Sequence, residues 1–408
     1  MNNKTILATC YAVNPYKGSE DGMGWNFVLQ IARHNSVIAI TRENNQHQIE
    51  KFMAENPNET YKNISFLYFD LPYWMRFWKK GGRGAMLYYY MWQKGIVSFV
   101  KKQKLNFDIV HNVNFHNDWT PTFLYQLKKP LVWGPVGHHP RIPKQYLQKY
   151  PKKYYYIDSI TWLIKKLFWK FAINLKKSIS KADHILCMNS GVSKVINLKN
   201  KEYSIMPSVA TDDFFEGEII KKEDFYVISV GRFVPLKGFD LAILAFANFI
   251  NQLSENEKQK CKLILIGSGP EKQNYQNLIQ DKNIENYVEI IEWIERKELM
   301  KQYQKASVFL FPSHEGAGMV VAEALSFGLP VVCLKNEGPG EFVSDNCSFT
   351  VKHQEYKQTV AKLAKSLLIL FNDERILVKM SQNARDHYMK NFTWNRKGNQ
   401  LNEIYKKL

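Results

Sequence analysis

Cysteine is scarce in this 408-residue chain, and Cys10, Cys187, Cys261, Cys333 and Cys347 show no C-x-x-C spacing. That argues against a zinc ribbon or a disulfide framework. The first four lie in or beside apolar strand-like runs and read as buried thiols. No run of eighteen or more apolar residues occurs, so no membrane-spanning helix is expected. The opening MNNKTILATCYAVNP has no basic segment ahead of a long apolar core, which argues against a secretory leader and for a cytoplasmic protein. No internal repeat or low-complexity tract stands out, which excludes a solenoid. Acidic residues are missing where basic ones crowd. Residues 73–104 hold eight Lys or Arg and no acid, and residues 141–181 hold eleven against Asp158 alone. These two segments account for the whole net charge of +18, and both are laced with Trp, Tyr and Phe.

A chain of this length with 45% hydrophobic residues can bury two cores. Strand candidates at 5–13, 36–41, 64–71, 107–113, 130–136 and 182–188 alternate with helical stretches and define a first unit over residues 1–205. A connector follows over 206–222. The second unit, 223–390, has strand candidates near 225–230, 261–267, 288–293, 307–312 and 330–334. A last segment, 391–408, reads as a helix. Both units are expected to be α/β with open parallel sheets.

The second unit carries the chemistry. In FLFPSHEGAGMVVAEALSFGLPVVCL a buried strand runs into a helix, placing Glu315 in the turn and Glu323 inside the helix. Gly316 and Gly318 let the backbone come close to a ligand, and the first helical amides, near Ala317 to Val320, suit a phosphate. Two carboxylates flanking an anion site suit sugar hydroxyls, and together they point to a nucleotide sugar. Alone, such a pair is more often an ordinary helix carboxylate beside a solvated one. Upstream, SVGRFVPLKGFDLAILAFANF sets Gly231, Arg232 and Lys237 around a loop at the carboxyl end of a strand, where open α/β sheets bind ligands. Two cations there can hold a diphosphate and stabilise it as it leaves. Between the two lies KLILIGSGPEKQNYQNLI, whose Gly267 and Gly269 lack the third glycine of a dinucleotide fingerprint.

In this order and spacing, GRFVPLKG, LILIGSGPE, FPSHEGAGMVVAEALSFGLPVV and GPGEFV resemble the C-terminal half of the retaining GT-B glycosyltransferases of family 4. The resemblance is strong over 223–390 and looser over the N-terminal half. It implies a GT-B architecture: two Rossmann-like domains facing a cleft, with the last helix returning to the first. It further implies that Arg232 and Lys237 hold the donor diphosphate, that Glu315 approaches the donor sugar and that Glu323 binds the ribose. Gly318, Met319 and Val320 would supply amides, and Gly231, Gly267, Gly269 and Gly316 would line the donor site. A family histidine after the strand PLVWGPVG favours His138 or His139, of which His138 is taken as catalytic; His111 and His116 crowd another strand end. Where relatives often carry a bulky residue this chain has Ala317, which bears on sugar identity. No D-x-D motif is convincing, since Asp212-Asp213 falls in the connector, so metal-independent transfer with no cofactor beyond the nucleotide sugar is expected.

In NPYKGSEDGMGWNFVLQIARHN, Gly18, Gly22 and Gly24 are expected to loosen a loop that reaches the donor phosphate. Projecting residues 160–177 on a helix gathers Ile160, Leu163, Ile164, Leu167, Phe168, Phe171 and Leu175 in one stripe, expected to pack on the domain. The opposite face, with Trp162, Lys165, Lys166, Trp169 and Lys170, suits an anionic membrane surface. Nucleic acid is the lesser alternative, since no recognised motif accompanies the charge. The expected protein is therefore peripheral on the inner face of the cytoplasmic membrane. It would glycosylate a saccharide acceptor, most simply a lipid-linked saccharide of bacterial surface-polysaccharide assembly. A nucleotide-sugar epimerase, a phosphorylase or a noncatalytic saccharide-binding protein are the competing readings.

Overall fold

The computed structural model describes residues 3–115, 117–220 and 222–408; His116 lies outside them. The described residues divide into two compact units. One comprises 1–138, 163–208 and 394–408, and the other 139–162 and 209–393.

In the first unit the apolar runs become β1 (Thr5–Thr9), β2 (Ser36–Thr41), β3 (Ile64–Tyr68), β4 (Ile109–Asn112), β5 (Leu131–Val136), β6 (His184–Cys187) and β7 (Tyr203–Ile205). They pair in parallel in the order β3-β2-β1-β4-β5-β6-β7. The second unit repeats the plan with β8 (Phe225–Val230), β9 (Cys261–Ile266), β10 (Val288–Ile291), β11 (Val308–Phe311), β12 (Val331–Leu334) and β13 (Ser348–Val351), ordered β10-β9-β8-β11-β12-β13. Both are doubly wound parallel sheets, as expected. In each, the strand order reverses once, between β1 and β4 and between β8 and β11. At such a reversal the flanking connections leave on opposite faces and open a crevice.

The strands are continuous apolar runs because both faces of each sheet are covered. In the second unit the helix Phe239–Ile250 buries ten of its twelve residues. Each fully buried Leu, Ile or Phe contributes roughly 1.5–3 kcal/mol. β7 and β13 had no counterpart in the sequence reading. They are short edge strands, YSI and SFTV, whose Ser, Thr and half-covered positions give no apolar run.

Two further expectations change. Residues 139–162, placed by sequence in the first unit, group with the second because their tyrosines anchor there. Tyr150 and Tyr356 hydroxyls each donate to Asp240 at 2.6 Å, and the Tyr146 hydroxyl donates to the Gln354 carbonyl at 2.9 Å. Gly22 and Gly24 loosen no loop. They lie inside the helix Ser19–Ala32, where a Cβ on Gly24 would stand 2.1 Å from the Ala12 carbonyl oxygen and one on Gly22 would stand 2.3 Å from that of Lys17. Their missing side chains let this helix press onto the segment after β1.

The basic, aromatic helix runs Lys152–Phe171, and a second helix, Ile173–Lys181, follows a break at Ala172. Over most of residues 160–171 its orientation reverses the expected one, although Phe168 is half-buried and Leu175, in the next helix, is buried as expected. Leu163, Ile164, Leu167 and Phe171 are exposed, Phe171 at 62%, whereas Lys165 is buried and Trp169 half-buried. The reason is aromatic. Trp169 donates its indole N–H to the Asp118 carbonyl at 2.9 Å, and Phe168 meets the Trp119 ring edge-on at 5.1 Å. A ring that also satisfies a hydrogen bond outcompetes a leucine for the inward position. Trp162 is half-buried as well, while Lys166 and Lys170 stay exposed. No helix among the described residues is long and apolar enough to cross a membrane.

Candidate active site

The second unit's reversal point brings Arg232, Lys237 and Glu315 together, because the chain leaves β8 at Gly231 and leaves β11 at Pro312. The Lys237 stem packs over Gly231, where a Cβ would lie 3.3 Å from its Cδ. Its Nζ donates to both Glu315 oxygens, at 2.8 and 2.7 Å, and sits 5.2 Å from the centre of the Phe311 ring. Burial pushes the Glu315 carboxyl up, opposed by the Lys237 ammonium and, from farther off, by Arg232. Arg232 itself is exposed. Lysine and glutamate, expected to serve diphosphate and sugar separately, therefore form one buried pair, and only the arginine projects as an uncommitted cation toward solvent.

Beyond Glu315 the turn is built tightly. The Gly316 amide donates to His139 Nδ1 at 3.1 Å, and the Asn336 side chain donates to the Ser313 carbonyl at 2.7 Å. A Cβ on Gly338 would stand 2.0 Å from the Glu315 carbonyl oxygen, so the GPGEFV segment backs the loop directly. Gly318 precedes the helix Met319–Ser326 with no side-chain cap. The Val321 amide returns to the Gly318 carbonyl, while Met319 and Val320 amides have no acceptor within their own helix. Amides left open at a helix N-terminus are suited to an anion.

Glu323 is buried one helical turn further in. Its Oε1 accepts from Arg296 Nη1 at 2.7 Å, and its Oε2 from the Tyr303 hydroxyl at 3.3 Å. Sequence reading missed Arg296, since nothing in the spacing of the two residues, 27 positions apart, signals the pair. Gly267 and Gly269 pack backbone on backbone. A Cβ on Gly267 (φ +146) would meet the Gly231 carbonyl oxygen at 1.8 Å, and one on Gly269 would meet the Phe233 oxygen at 2.6 Å. They let the turn after β9 lie against the Arg232 loop, so their first effect is on the shape of that loop.

In the first unit, Gly18 stands just ahead of the helix Ser19–Ala32. At the β1/β4 reversal Glu20, whose importance the sequence did not signal, accepts from the Phe115 amide at 2.5 Å, and burial pushes its carboxyl up. His138 is buried with Nδ1 2.7 Å from Asp118 Oδ2, an arrangement that fixes the ring and its tautomer. His111 is structural: it bridges the Tyr405 hydroxyl at 2.5 Å and the Gly134 carbonyl at 2.7 Å. Of the histidine doublet, His138 thus belongs to the first unit, and His139 touches the Glu315 loop in the second.

Residues 210–387 match the family model described as Glycosyl transferases group 1. An alpha-monoglucosyldiacylglycerol synthase of Acholeplasma laidlawii is 26% identical over 322 residues, 71% of this chain and 74% of that one. A GDP-mannose-dependent alpha-(1-6)-phosphatidylinositol monomannoside mannosyltransferase of Mycolicibacterium smegmatis is 27% identical over 186 residues, 44% of this chain. An uncharacterised glycosyltransferase of Haemophilus influenzae is 28% identical over 176 residues, 42% of this chain. The matches span 47% and 46% of these last two relatives, about half their length. Among solved structures, sucrose-phosphate synthase from Thermosynechococcus elongatus matches with a TM-score of 0.65 at 16% identity, covering 99% of each chain. Anabaena HepE in complex with UDP matches with a TM-score of 0.61 at 14% identity, covering 99% of this chain and 100% of that one. The chain therefore has the two-sheet fold of GT-B glycosyltransferases, and its residues 210–387 match the group 1 glycosyltransferase model.

Proposed function

We propose that this protein transfers a sugar from a nucleotide-diphosphate donor to an acceptor hydroxyl with retention of anomeric configuration. The observation that carries this reading is the Lys237–Glu315 pair in the corner at the β8/β11 reversal within the matched segment: Glu315 Oε1 lies against Gly318, just ahead of the helix Met319–Ser326, and Arg232 acts on the same carboxylate. The donor diphosphate sits in that corner, with Arg232 as a bidentate clamp and Lys237 shared between phosphate and Glu315. Glu315 keeps Lys237 placed and faces the sugar, and Glu323, braced by Arg296, takes the ribose hydroxyls. As the bond from the anomeric carbon to the phosphate oxygen breaks, its electron pair goes to the phosphate. The acceptor oxygen forms its new bond on the same face, and its proton passes to the departing phosphate oxygen. The cations and amides stabilise that oxygen's charge, as fixed dipoles do best at the point where charge develops. His138, held by Asp118, is the catalytic candidate of the first unit.

The proposed acceptor is a lipid-linked saccharide, and the proposed setting is an anionic membrane face. Supporting this, Leu163, Ile164, Leu167 and Phe171 form an exposed apolar stripe flanked by Lys166 and Lys170, the pattern of an interfacial helix. Two of the relatives named above are, by name, enzymes of lipid glycosylation. The test is a transfer assay with UDP-, GDP-, ADP- and TDP-sugars, reading nucleotide release and product anomer. Acceptor-dependent release with retained configuration is expected; release without an acceptor, or an inverted product, contradicts the reading.

A further inference from the structure

The carboxyl ends of β2 and β3 in the first unit hold a pocket of about 430 Å³ that the reading above does not use. Arg42 follows β2 directly, and Asp70 lies just beyond β3. Arg76 and Lys79 come from the short basic segment after them. Three cations thus line the pocket with one carboxylate. Asp70, only 4% exposed, is already engaged: it accepts from the Tyr88 hydroxyl and the Glu43 amide and lies 3.5 Å from Arg76 Nη1. Arg76 also reaches Glu43, at 3.2 Å, but its buried Nε has no hydrogen-bond partner among the described residues. Arg42 donates Nε to the Tyr11 carbonyl at 2.8 Å and lies 4.1 Å over the Tyr11 ring. Beneath it the Tyr11 hydroxyl is likewise buried and unpartnered among the described residues. The Lys79 ammonium donates to the Gly81 carbonyl at 3.4 Å. Desolvation first, then Arg42, holds its pKa below the usual lysine range, although Asp70 opposes them. An anion in the pocket would offset the like charge that Arg42, Arg76 and Lys79 bring together there. The rim is aromatic: Tyr73 and Phe77 line the pocket and are both exposed, Tyr73 at 75%.

We propose that this pocket binds the phosphate group of an amphiphilic acceptor, with Arg42, Arg76 and Lys79 on the phosphate and the aromatic rim against its apolar part. The inference rests on the glycosyltransferase reading for the word acceptor, but not for the phosphate. A guanidinium fork with a spare donor beside a point-charge ammonium matches a phosphate's several oxygens, and the site lies where parallel sheets take ligands. Among the described residues Lys79 makes no carboxylate contact within salt-bridge distance, so Lys79→Met leaves the hydrogen bonds to Asp70 standing.

The test is calorimetric binding to the full chain of three probes: monomeric dihexanoyl phosphatidic acid, dihexanoyl phosphatidylcholine and inorganic phosphate. Phosphatidic acid should bind best, and Lys79→Met should weaken it by about tenfold or more, as loss of a charge-assisted contact does. Lys79→Arg should bind as the parent does, and all three proteins should bind nucleotide diphosphate alike. Equal binding of phosphatidic acid by parent and Lys79→Met, or no binding of it at all, overturns the proposal. Inorganic phosphate binding as tightly as phosphatidic acid overturns the amphiphile and assigns the pocket to free phosphate. Loss of nucleotide binding in the parent protein would instead count against the donor site, whatever the phosphate probes do.

Discussion

Lys237 and Glu315 are coupled tightly enough that neither can be changed alone without exposing the other. Lys237→Ala leaves a buried carboxylate uncompensated and should cost about 3 kcal/mol or more of stability, together with at least about 100-fold in turnover. Pairing it with Glu315→Leu removes both charges. The double variant should melt near the wild-type temperature and remain inactive. Recovery of activity in the double variant would remove the pair from the chemistry. His111 gives a pH signature. Its ring donates from Nε2 to the Gly134 carbonyl and accepts at Nδ1 from Tyr405, so the neutral form is fully satisfied, and burial holds its pKa down at about 4. The unfolded chain, with an ordinary pKa near 6.5, takes up a proton first. Stability is therefore full above about pH 6.5 and falls as the pH drops toward 4. Denaturant melts of His111→Gln should show a shallower fall over that window than the parent. At this scale the sequence was partly legible: the Lys237–Glu315 pair joins two residues singled out in the loops that follow β8 and β11. Arg296 and the Asp118 partner of His138 were not, since such pairs depend on distant segments meeting.

At the scale of elements, the strands were readable because parallel strands covered on both faces show as unbroken β-branched and aromatic runs. Only the short edges β7 and β13 escaped. The basic helix was misread for a physical reason. With aromatic residues on both faces, periodicity alone does not choose which face turns inward, and the hydrogen bond from Trp169 to the Asp118 carbonyl decides it. The exposed stripe makes a definite prediction. Leu163→Ser with Leu167→Ser should leave the melting temperature within a few degrees, because exposed side chains contribute little to folding. The same change should abolish flotation with phosphatidylglycerol-containing vesicles. Flotation unchanged would mean that the stripe is not the binding face. Gly267→Ala tests the packing of the turn after β9 on the Arg232 loop. A Cβ 1.8 Å from the Gly231 oxygen, at a positive φ, has nowhere to go. The variant should lose about 3 kcal/mol or more in a denaturant melt.

For the whole molecule, charge and topology tell complementary stories. The +18 of the sequence is concentrated in two segments, 73–104 and 141–181, while the motifs proposed to bind the nucleotide sugar lie in the segment matched over 210–387. The two sheets share one winding order, and the proposed donor corner lies at the reversal of strand order, where such sheets bind ligands. Composition could place the basic surface on the early part of the chain, but it could not divide the chain. Residues 139–162 join the second unit through tyrosine hydroxyls that no hydropathy pattern records.

The most direct test of the central claim is calorimetric titration of the full-length protein with UDP, GDP, ADP and TDP, repeated with Arg232→Ala. The account predicts that one of them binds the parent protein and that Arg232→Ala weakens this binding by about tenfold or more, the loss of one bidentate charged contact, with no change in melting temperature. Undiminished binding in Arg232→Ala would contradict the assignment of the β8/β11 corner as the diphosphate site.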